Sequence, residues 1–465
     1  MSQDTNKTKS PPPIVFIILG LIAFGAYKFV PGLFKGKSSD TSGAIANRIS
    51  LGNQILLTSQ TTAAKQAGVQ AFVKGDYQAA VKNFQDSLQQ NRNDPETIIY
   101  LNNAIIYLNK ATATKGSPLK IAVSVPIGSN PNVAQEILRG VAQAQDEINT
   151  SGGINGAKLQ VEIVNDDNSP EVVREVAKTL AQDQNILAVI GHNASNASLE
   201  AAPIYQQEKL VMVTPTSFAN NLSGFGSYIF RTVPNISVMA APLAEYVVKT
   251  ERQTNIAVCY DSQAPDNISF KDEFVASLTA AGGKLVPTVC DFSIPSFNPN
   301  VALADAVSKG AQALMLAPHI DRIDRAISLA RINQGKLPLY GSTTLYTFQT
   351  LKEGQSDVNG LVLPVPWHPE TNPGSPFPEN ARRRWGGIVN WRTATSFDAT
   401  QAVIAGLRQS NTREGLQQAL RNASFSTAGS SEEVRFLPTG DRAGKPILVQ
   451  VKLGGNTGYN FVPLR

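Results

Sequence analysis

The residues best equipped for chemistry stand in one run, Gly191-His-Asn-Ala-Ser-Asn-Ala-Ser198, directly after the apolar stretch Ile186–Ile190. An imidazole, two amides and two hydroxyls in eight positions form a set of hydrogen-bond donors and acceptors suited to holding a small polar molecule. If a helix begins near Ser195, its unpaired N–H groups and positive dipole end join the Ser195 hydroxyl as a cradle for a carboxylate. Pro203 leaves two readings open. Either it kinks a helix that starts at Ser195, or regular helix starts only near Ala202. Ser195 and Asn196 could equally serve as helix caps, and His192 as a packed loop histidine.

Covalent chemistry finds less support. A nucleophile needs a base within hydrogen-bond reach and a third group to orient that base. The three histidines, His192, His319 and His368, lie far apart, in no H-E-x-x-H pattern, and no G-x-S-x-G elbow occurs. Dinucleotide and Walker spacings are missing too, so the expectation is a protein that is not an enzyme and uses no cofactor and no metal. A net charge of +5 from 41 basic and 36 acidic residues, without a basic run, argues against nucleic acid as a partner. Cys259 and Cys290 are the only cysteines, too few for a disulfide framework or a Cys-rich metal site; one disulfide and two buried thiols both remain open.

The elements that would position these residues are short apolar runs alternating with amphipathic helical patterns. "LKIAVSVPI", "LQVEIV", "ILAVIG", "KLVMVTP", "TNIAVCYD", "KLVPTVCD", "AQALMLAP" and "KLPLYGS" recur at the spacing of βαβ units, which gives an α/β fold with parallel sheets covered on both faces. Ser169-Pro170-Glu171 is a strong helix start: a hydroxyl cap, a proline at the first helical position and an acid in the first turn. So many strands in 465 residues exceed one sheet, and two doubly wound lobes fit better. The predicted division is 119–234 plus 362–428 for the first lobe and 235–361 plus 429–454 for the second. In open α/β sheets ligands sit beyond the carboxyl ends of the strands. There the sequence offers Ser129, the Asn193–Ser198 run with Ser195 and Asn196, and Thr214 to Phe218 with Thr216. The second lobe offers Asp261, His319, and Ser342 to Tyr346 with Thr343.

Ahead of the lobes, residues 1–13 are polar, and Ile14–Phe34 is apolar enough to span a bilayer, with Lys28 able to snorkel. No small-x-small cleavage site follows closely, which favours an uncleaved transmembrane anchor over a signal peptide. Residues 35–60 read as a polar linker. Residues 61–113, with Gly68, Gly75, Tyr77, Ala80 and Phe84 at characteristic spacing, read as a tetratricopeptide-like helical hairpin. One and a half repeats rarely stand alone, so the hairpin should lean on something else, as a spacer or as the docking site of a protein partner.

From Leu119 to about Gly454 the chain resembles the leucine/isoleucine/valine-binding proteins, the type I periplasmic solute-binding receptors of ABC importers. The resemblance rests on "INTSGGINGAKLQVEIVNDDNSPEVVREVAKTL", "ILAVIGHNASNASLEAAPIYQQEKLVMVTPTS", "YIFRTVP" and "GLVLPVPW" in their order. It implies two lobes joined by three hinge strands, closing over a small molecule that is passed to a membrane permease; with the Ile14–Phe34 anchor, the expectation is a protein held at the bacterial inner membrane and facing the periplasm. It also implies that Ser195 holds the ligand's carboxylate and that Thr216 offers a main-chain contact. Phe218 stands where amino-acid binders use a threonine hydroxyl, and Thr343 where they use an acid for the ammonium group. His319 falls near an aromatic contact, and Asp261 is the nearest acid that could compensate. An amino acid is thus the default ligand, with a carboxylate or amide lacking the ammonium group as the next candidate and a non-transporting sensor or scaffold as the alternative function. The family's first-lobe disulfide is absent, while Cys259 and Cys290 fall on strands expected to be neighbours in the second lobe, where they could pair.

Overall fold

Strands buried on both faces need unbroken apolar runs, and the chain supplies them: every residue of Ile186–Ile190 and of Ala313–Ala317 is buried. The computed structural model describes residues 44–109, 117–455 and 458–464. The chain divides into two compact units, 1–47 and 48–465. Of the first, only residues 44–47 are described. The expected anchor Ile14–Phe34 lies outside the described residues, among which no helix is long and apolar enough to cross a membrane.

In the second unit, strands β1 (Ile49–Ser50), β2 (Leu119–Val125), β3 (Leu159–Asn165), β4 (Ile186–Ile190), β5 (Val211–Thr214) and β6 (Ile229–Arg231) form one sheet, in the order β1-β3-β2-β4-β5-β6. All pairs in it are parallel except β1 with β3. A second sheet holds β7 (Asn255–Tyr260), β8 (Lys284–Val286), β9 (Ala313–Ala317), β10 (Leu339–Gly341), β11 (Val362–Val365), β12 (Ile447–Leu453) and β13 (Tyr459–Pro463), in the order β13-β12-β11-β10-β9-β7-β8. Its β7 to β11 are parallel, and the last two strands add antiparallel at one edge. The molecule is therefore α/β with two doubly wound, parallel-dominated sheets.

The chain passes between the sheets three times: after Arg231, between Val365 and the helix Trp391–Gln409, and before Ile447. Three of the predicted lobe limits shift accordingly. Val362–Val365 hydrogen-bonds in the second sheet rather than opening the return to the first, and the second sheet runs on to Pro463. Residues near 440 belong beside the first sheet, where the Arg231 N–H donates to the Gly440 carbonyl and Arg231 Nε pairs with Asp441.

The predicted linker needs correction at its end. Ile49–Ser50 is an edge strand, Arg48 pairs with Asp167 at 2.5 Å, and Leu57 is buried. A two-residue strand carries no periodicity, so nothing in the pattern distinguished it from a tether. Behind it stand three helices, Ala63–Val73, Tyr77–Gln90 and Pro95–Asn109. The first two pack so closely that a Cβ on Gly68 would lie 2.6 Å from the Phe84 ring. Lys65, fully buried, bonds Asp94 (2.7 Å) and Glu96 (2.6 Å). Burial alone would lower its pKa, but the two carboxylates outweigh that and hold it raised. Glu96 also accepts from the main chain of Leu56 at 2.7 Å, tying the edge segment to the helices. The third helix leans on the first lobe: Asn103 Nδ2 donates to the Val161 carbonyl (2.7 Å) and Asn102 Nδ2 to Asp146 (3.1 Å).

Cys259 and Cys290 form a disulfide that closes a loop of 31 residues. Cys259 is on β7, and Cys290 lies just past β8, which ends at Val286, earlier than the run "KLVPTVCD" predicts.

Candidate functional site

Strand order reverses between β2 and β4 in the first sheet and between β7 and β9 in the second. Loops diverge at such switch points, and the crevice they leave at the carboxyl ends is where a ligand fits. The chain leaves β4 into Gly191–Ala194 in one lobe; in the other it leaves β7 toward Asp266 and β9 toward His319.

The first of these loops is fixed from behind. His192 is fully buried; its Nδ1 is 2.7 Å from Asp166 Oδ2, which also accepts from Ser124 Oγ at 2.9 Å. Nδ1 donates to that carboxylate, and Nε2 lies 3.2 Å from the Tyr205 hydroxyl. Burial pushes the Tyr205 pKa well up. The His192 carbonyl takes Thr214 Oγ1 (2.8 Å), and the Asn193 carbonyl takes Thr216 Oγ1 (2.8 Å). His192 is thus a packed residue that holds the loop in place.

Helix Ser195–Gln207 starts at Ser195 with Pro203 inside it, and Ala194 takes the cap position without a side-chain bond. Ser195 Oγ accepts from the main-chain N–H groups of Phe218 (3.1 Å) and Ala219 (3.2 Å). These bonds use the acceptor side of the hydroxyl and leave its predicted role as a donor to a ligand untouched. Asn196 accepts from the N–H of Ala197.

Between the lobes lies a cavity of about 30 Å3. From the first lobe Asn193, Thr216, Phe218, Trp391 and Arg392 line it; from the second, Asp266, His319, Ile320 and Thr344. Of the residues picked out from sequence, Thr216, Phe218 and His319 come together here. Ser195 is bonded to the main chain of Phe218, and Thr343 turns its hydroxyl to the Pro364 carbonyl (2.8 Å), leaving the lining to Thr344. Asp261 is buried and ion-paired with Arg322, and Ser129 is exposed; neither lines the cavity.

Asp266, Trp391 and Arg392 also line the cavity and were not singled out from the sequence. Trp391 and Arg392 open a long helix whose cap, Asn390, accepts from the Arg392 N–H at 2.9 Å. The rings of Trp391 and Phe218 lie 5.7 Å apart, with the Arg392 guanidinium 4.5 Å from the Trp391 ring. Arg392 Nη1 donates to the Tyr346 carbonyl of the second lobe at 2.9 Å and lies 3.6 Å from Glu136. Burial pushes Glu136 up against the pull of Arg392, and pushes Arg392 down against the pull of Glu136. Asp266, in the first turn of helix Pro265–Ala280, is pushed up by desolvation and drawn back by His319. Tyr346 also lines a wider groove of about 610 Å3, together with Glu136, Arg139, Phe348 and Phe461. Among the described residues no cluster of His, Cys, Asp and Glu could hold a metal ion.

Two doubly wound lobes, three connecting passages and a cavity between facing strand ends define a binding protein of the type I periplasmic-binding fold. Residues 118–456 match the family described as periplasmic binding protein, and the chain belongs to that family. The Leu/Ile/Val-binding protein of Escherichia coli K12 is 34% identical over 164 residues, 34% of this chain and 43% of that protein. An amino acid binding protein of Pseudomonas aeruginosa is 28% identical over 135 residues, 29% and 36%. The chain thus spans about two fifths of the length of the curated relatives it matches (36% and 43%). Among solved structures, a leucine binding protein from Thermotoga maritima superposes with a TM-score of 0.67 at 20% identity, covering 74% of this chain and 97% of that one. A solute binding protein from R. palustris in complex with benzoate gives 0.65 at 18% identity, covering 75% and 95%. These relatives are solute-binding proteins, not enzymes.

Proposed function

We propose that this chain is the solute-binding component of an ABC-type importer, anchored in the bacterial inner membrane through Ile14–Phe34 and facing the periplasm. The lobes close on a small polar ligand, an amino acid or a related carboxylate or amide, and present it to a membrane permease. One observation carries the reading: polar and charged side chains from both lobes, Asn193, Thr216 and Arg392 against Asp266, His319 and Thr344, meet in a single cavity at the two switch points. At about 30 Å3 that cavity is a tenth or less of the roughly 300–1,000 Å3 of a ligand pocket, so a guest enters only as the lobes part. Isothermal titration against amino acids, short carboxylates and amides tests it. A micromolar ligand supports uptake, and silence across the panel rejects it.

A second reading has an observation of its own. Phe218, Trp391 and Arg392 occupy the space between the lobes, and Arg392 joins them directly. A sensor or scaffold that has given up transport, recruiting a protein partner through its helical hairpin, would be built that way. Silence in the titration together with a partner retained by the 61–113 segment would favour it.

A further inference from the structure

Where β10 and β11 begin, at the end of the second sheet away from the cleft, lies a cavity of about 250 Å3. It shares no lining residue with the cavity between the lobes. Tyr246 and Glu251 reach it from the π turn Tyr246–Thr250 and the residue that follows, Tyr340 from β10, and Asp357 from the short turn ahead of β11. Tyr340 is only 2% exposed, yet its hydroxyl bonds to no described residue, and the little surface the residue keeps includes that oxygen. A polar atom so deeply set is ordinarily paired, so an open one at a cavity wall is placed for a partner from outside the chain.

The surroundings of that hydroxyl are acidic. Tyr246 donates its O–H to Glu251 Oε1 at 2.5 Å, and burial together with that carboxylate pushes the Tyr246 pKa up to about 12. Burial, then the charge of Glu251, pushes the Tyr340 pKa up too, so both phenols keep their protons at neutral pH. Asp357 adds a second carboxylate; its partner Arg331, 3.1 Å away, is not part of the wall. Two amides in the lining are spent on the main chain: Asn333 bonds Leu337 in both directions (2.8 and 3.1 Å), and Gln450 Nε2 donates to the Gly360 carbonyl (3.3 Å). Among the described residues the wall thus carries two acids and no basic side chain.

We propose that this cavity is a second binding site, for a small primary amine in its ammonium form: the Tyr340 oxygen and the Glu251 carboxylate accept from the ammonium hydrogens, and Asp357 completes the negative wall. An ammonium group brings one positive charge and three donors, which match one open hydroxyl oxygen and two carboxylates. An anion or a zwitterion would set its own carboxylate against Glu251 and Asp357, so the site selects against the amino acids and carboxylates considered for the cleft. Among the described residues no cluster of His, Cys, Asp and Glu could hold a metal ion, which leaves an organic cation as the guest. A volume below the roughly 300–1,000 Å3 of a pocket for a drug-sized molecule limits that guest to a short chain. The site stands whether or not the lobes bind a solute.

Saturation-transfer NMR on the full chain at neutral pH tests this with n-butylammonium as the probe. It should give a saturable signal, while n-butanol, which lacks the charge, and tetramethylammonium, which lacks the donors, should bind at least about tenfold more weakly. Tyr340→Phe removes only the open hydroxyl, and Glu251→Gln changes an exposed side chain; each should weaken butylammonium by about tenfold or more. In 13C-tyrosine spectra of the wild type, the ring signal missing from Tyr340→Phe should move on addition of butylammonium, a readout that does not depend on the folding of either variant. No saturable signal, equal binding of butanol, unchanged affinity in both variants, or a static Tyr340 signal at saturation would each overturn the assignment. Titration of the cleft with its own candidate ligands is a separate measurement, and its failure would leave this site standing.

Discussion

Arg392 and Tyr346 join the two lobes: a guanidinium at the start of a first-lobe helix donates to a second-lobe carbonyl at 2.9 Å. The bond is not alone. The N–H of Asn220 donates to Ser269 Oγ (3.1 Å), and Asn220 Nδ2 to Glu273 Oε1 (2.9 Å), both across the same gap. Closure is therefore partly stabilised by the protein's own contacts, and a ligand has to add to them rather than supply them all.

Asn220→Ala removes one side-chain bond of this set without touching the cavity. At about 0.5–1.5 kcal/mol per bond, the balance should move severalfold toward parted lobes. Small-angle scattering should report a larger radius of gyration for the variant in the absence of added ligand, with thermal stability lowered by less than about 1.5 kcal/mol. An unchanged scattering profile would mean that the bond contributes nothing to closure.

Gly140 lets two helices touch backbone to backbone. A Cβ there would lie 2.3 Å from the Thr393 carbonyl oxygen and 2.6 Å from the Phe397 nitrogen, both main-chain atoms that cannot swing aside. Gly140→Ala should cost about 1–3 kcal/mol of stability and push away the start of helix Trp391–Gln409, which carries Trp391 and Arg392. Ligand affinity should fall although residue 140 does not itself line the cavity. Chemical denaturation and titration on the same preparation check both; a stability loss with full affinity would show that the helix start is held by other contacts.

The Cys259–Cys290 bridge closes a loop of 31 residues, for which loop-closure entropy gives about 3–4 kcal/mol at 25 °C. Cys259→Ser with Cys290→Ser should lower the denaturation midpoint by a corresponding amount, and the denatured, unreduced wild type should show no free thiol. Thiol titration in guanidinium settles the second point; two reactive thiols would contradict the bridge.

Much of this architecture could be read in advance because it depends on local pattern. The run Ile186–Ile190 had to be a doubly buried strand, and Ser169-Pro170 had to begin a helix; Ser169 Oγ indeed accepts from the Val172 N–H. Thr216, Phe218 and His319 were singled out because rim positions follow from strand ends, and all three line the cavity. Trp391 and Arg392 were not, since they reach the cavity from a helix that follows the second passage between lobes, some two hundred residues beyond the loop they face. Asp266 holds no rim position that the strand ends single out, and its place in the cavity shows only in the fold. Its meaning depends on which loop stands opposite, and single-sequence patterning does not encode that.

Arg231 and Asp441 form a nearly fully buried ion pair at the first passage between the lobes. Burial alone would raise the Asp441 carboxyl, but Arg231, with hydrogen bonds from Ser223 (2.6 Å) and Thr439 (2.9 Å), holds it below its ordinary 3.8. A carboxyl depressed in the folded state adds stability that is present above its unfolded value and is lost as pH falls through the folded one. The loss from this group should therefore set in below about pH 5, as the unfolded carboxyl with its ordinary value of 3.8 begins to protonate, and be absent between pH 5 and 8. Asp441→Asn leaves a buried guanidinium without its counter-charge, at a cost of about 3 kcal/mol near neutrality. Because the variant has already lost the increment, it should destabilise less than wild type on going from pH 5 to pH 3. Urea midpoints at pH 7, 5 and 3 for both proteins measure the difference, and parallel pH profiles would show that acid loosens the lobes through other carboxylates.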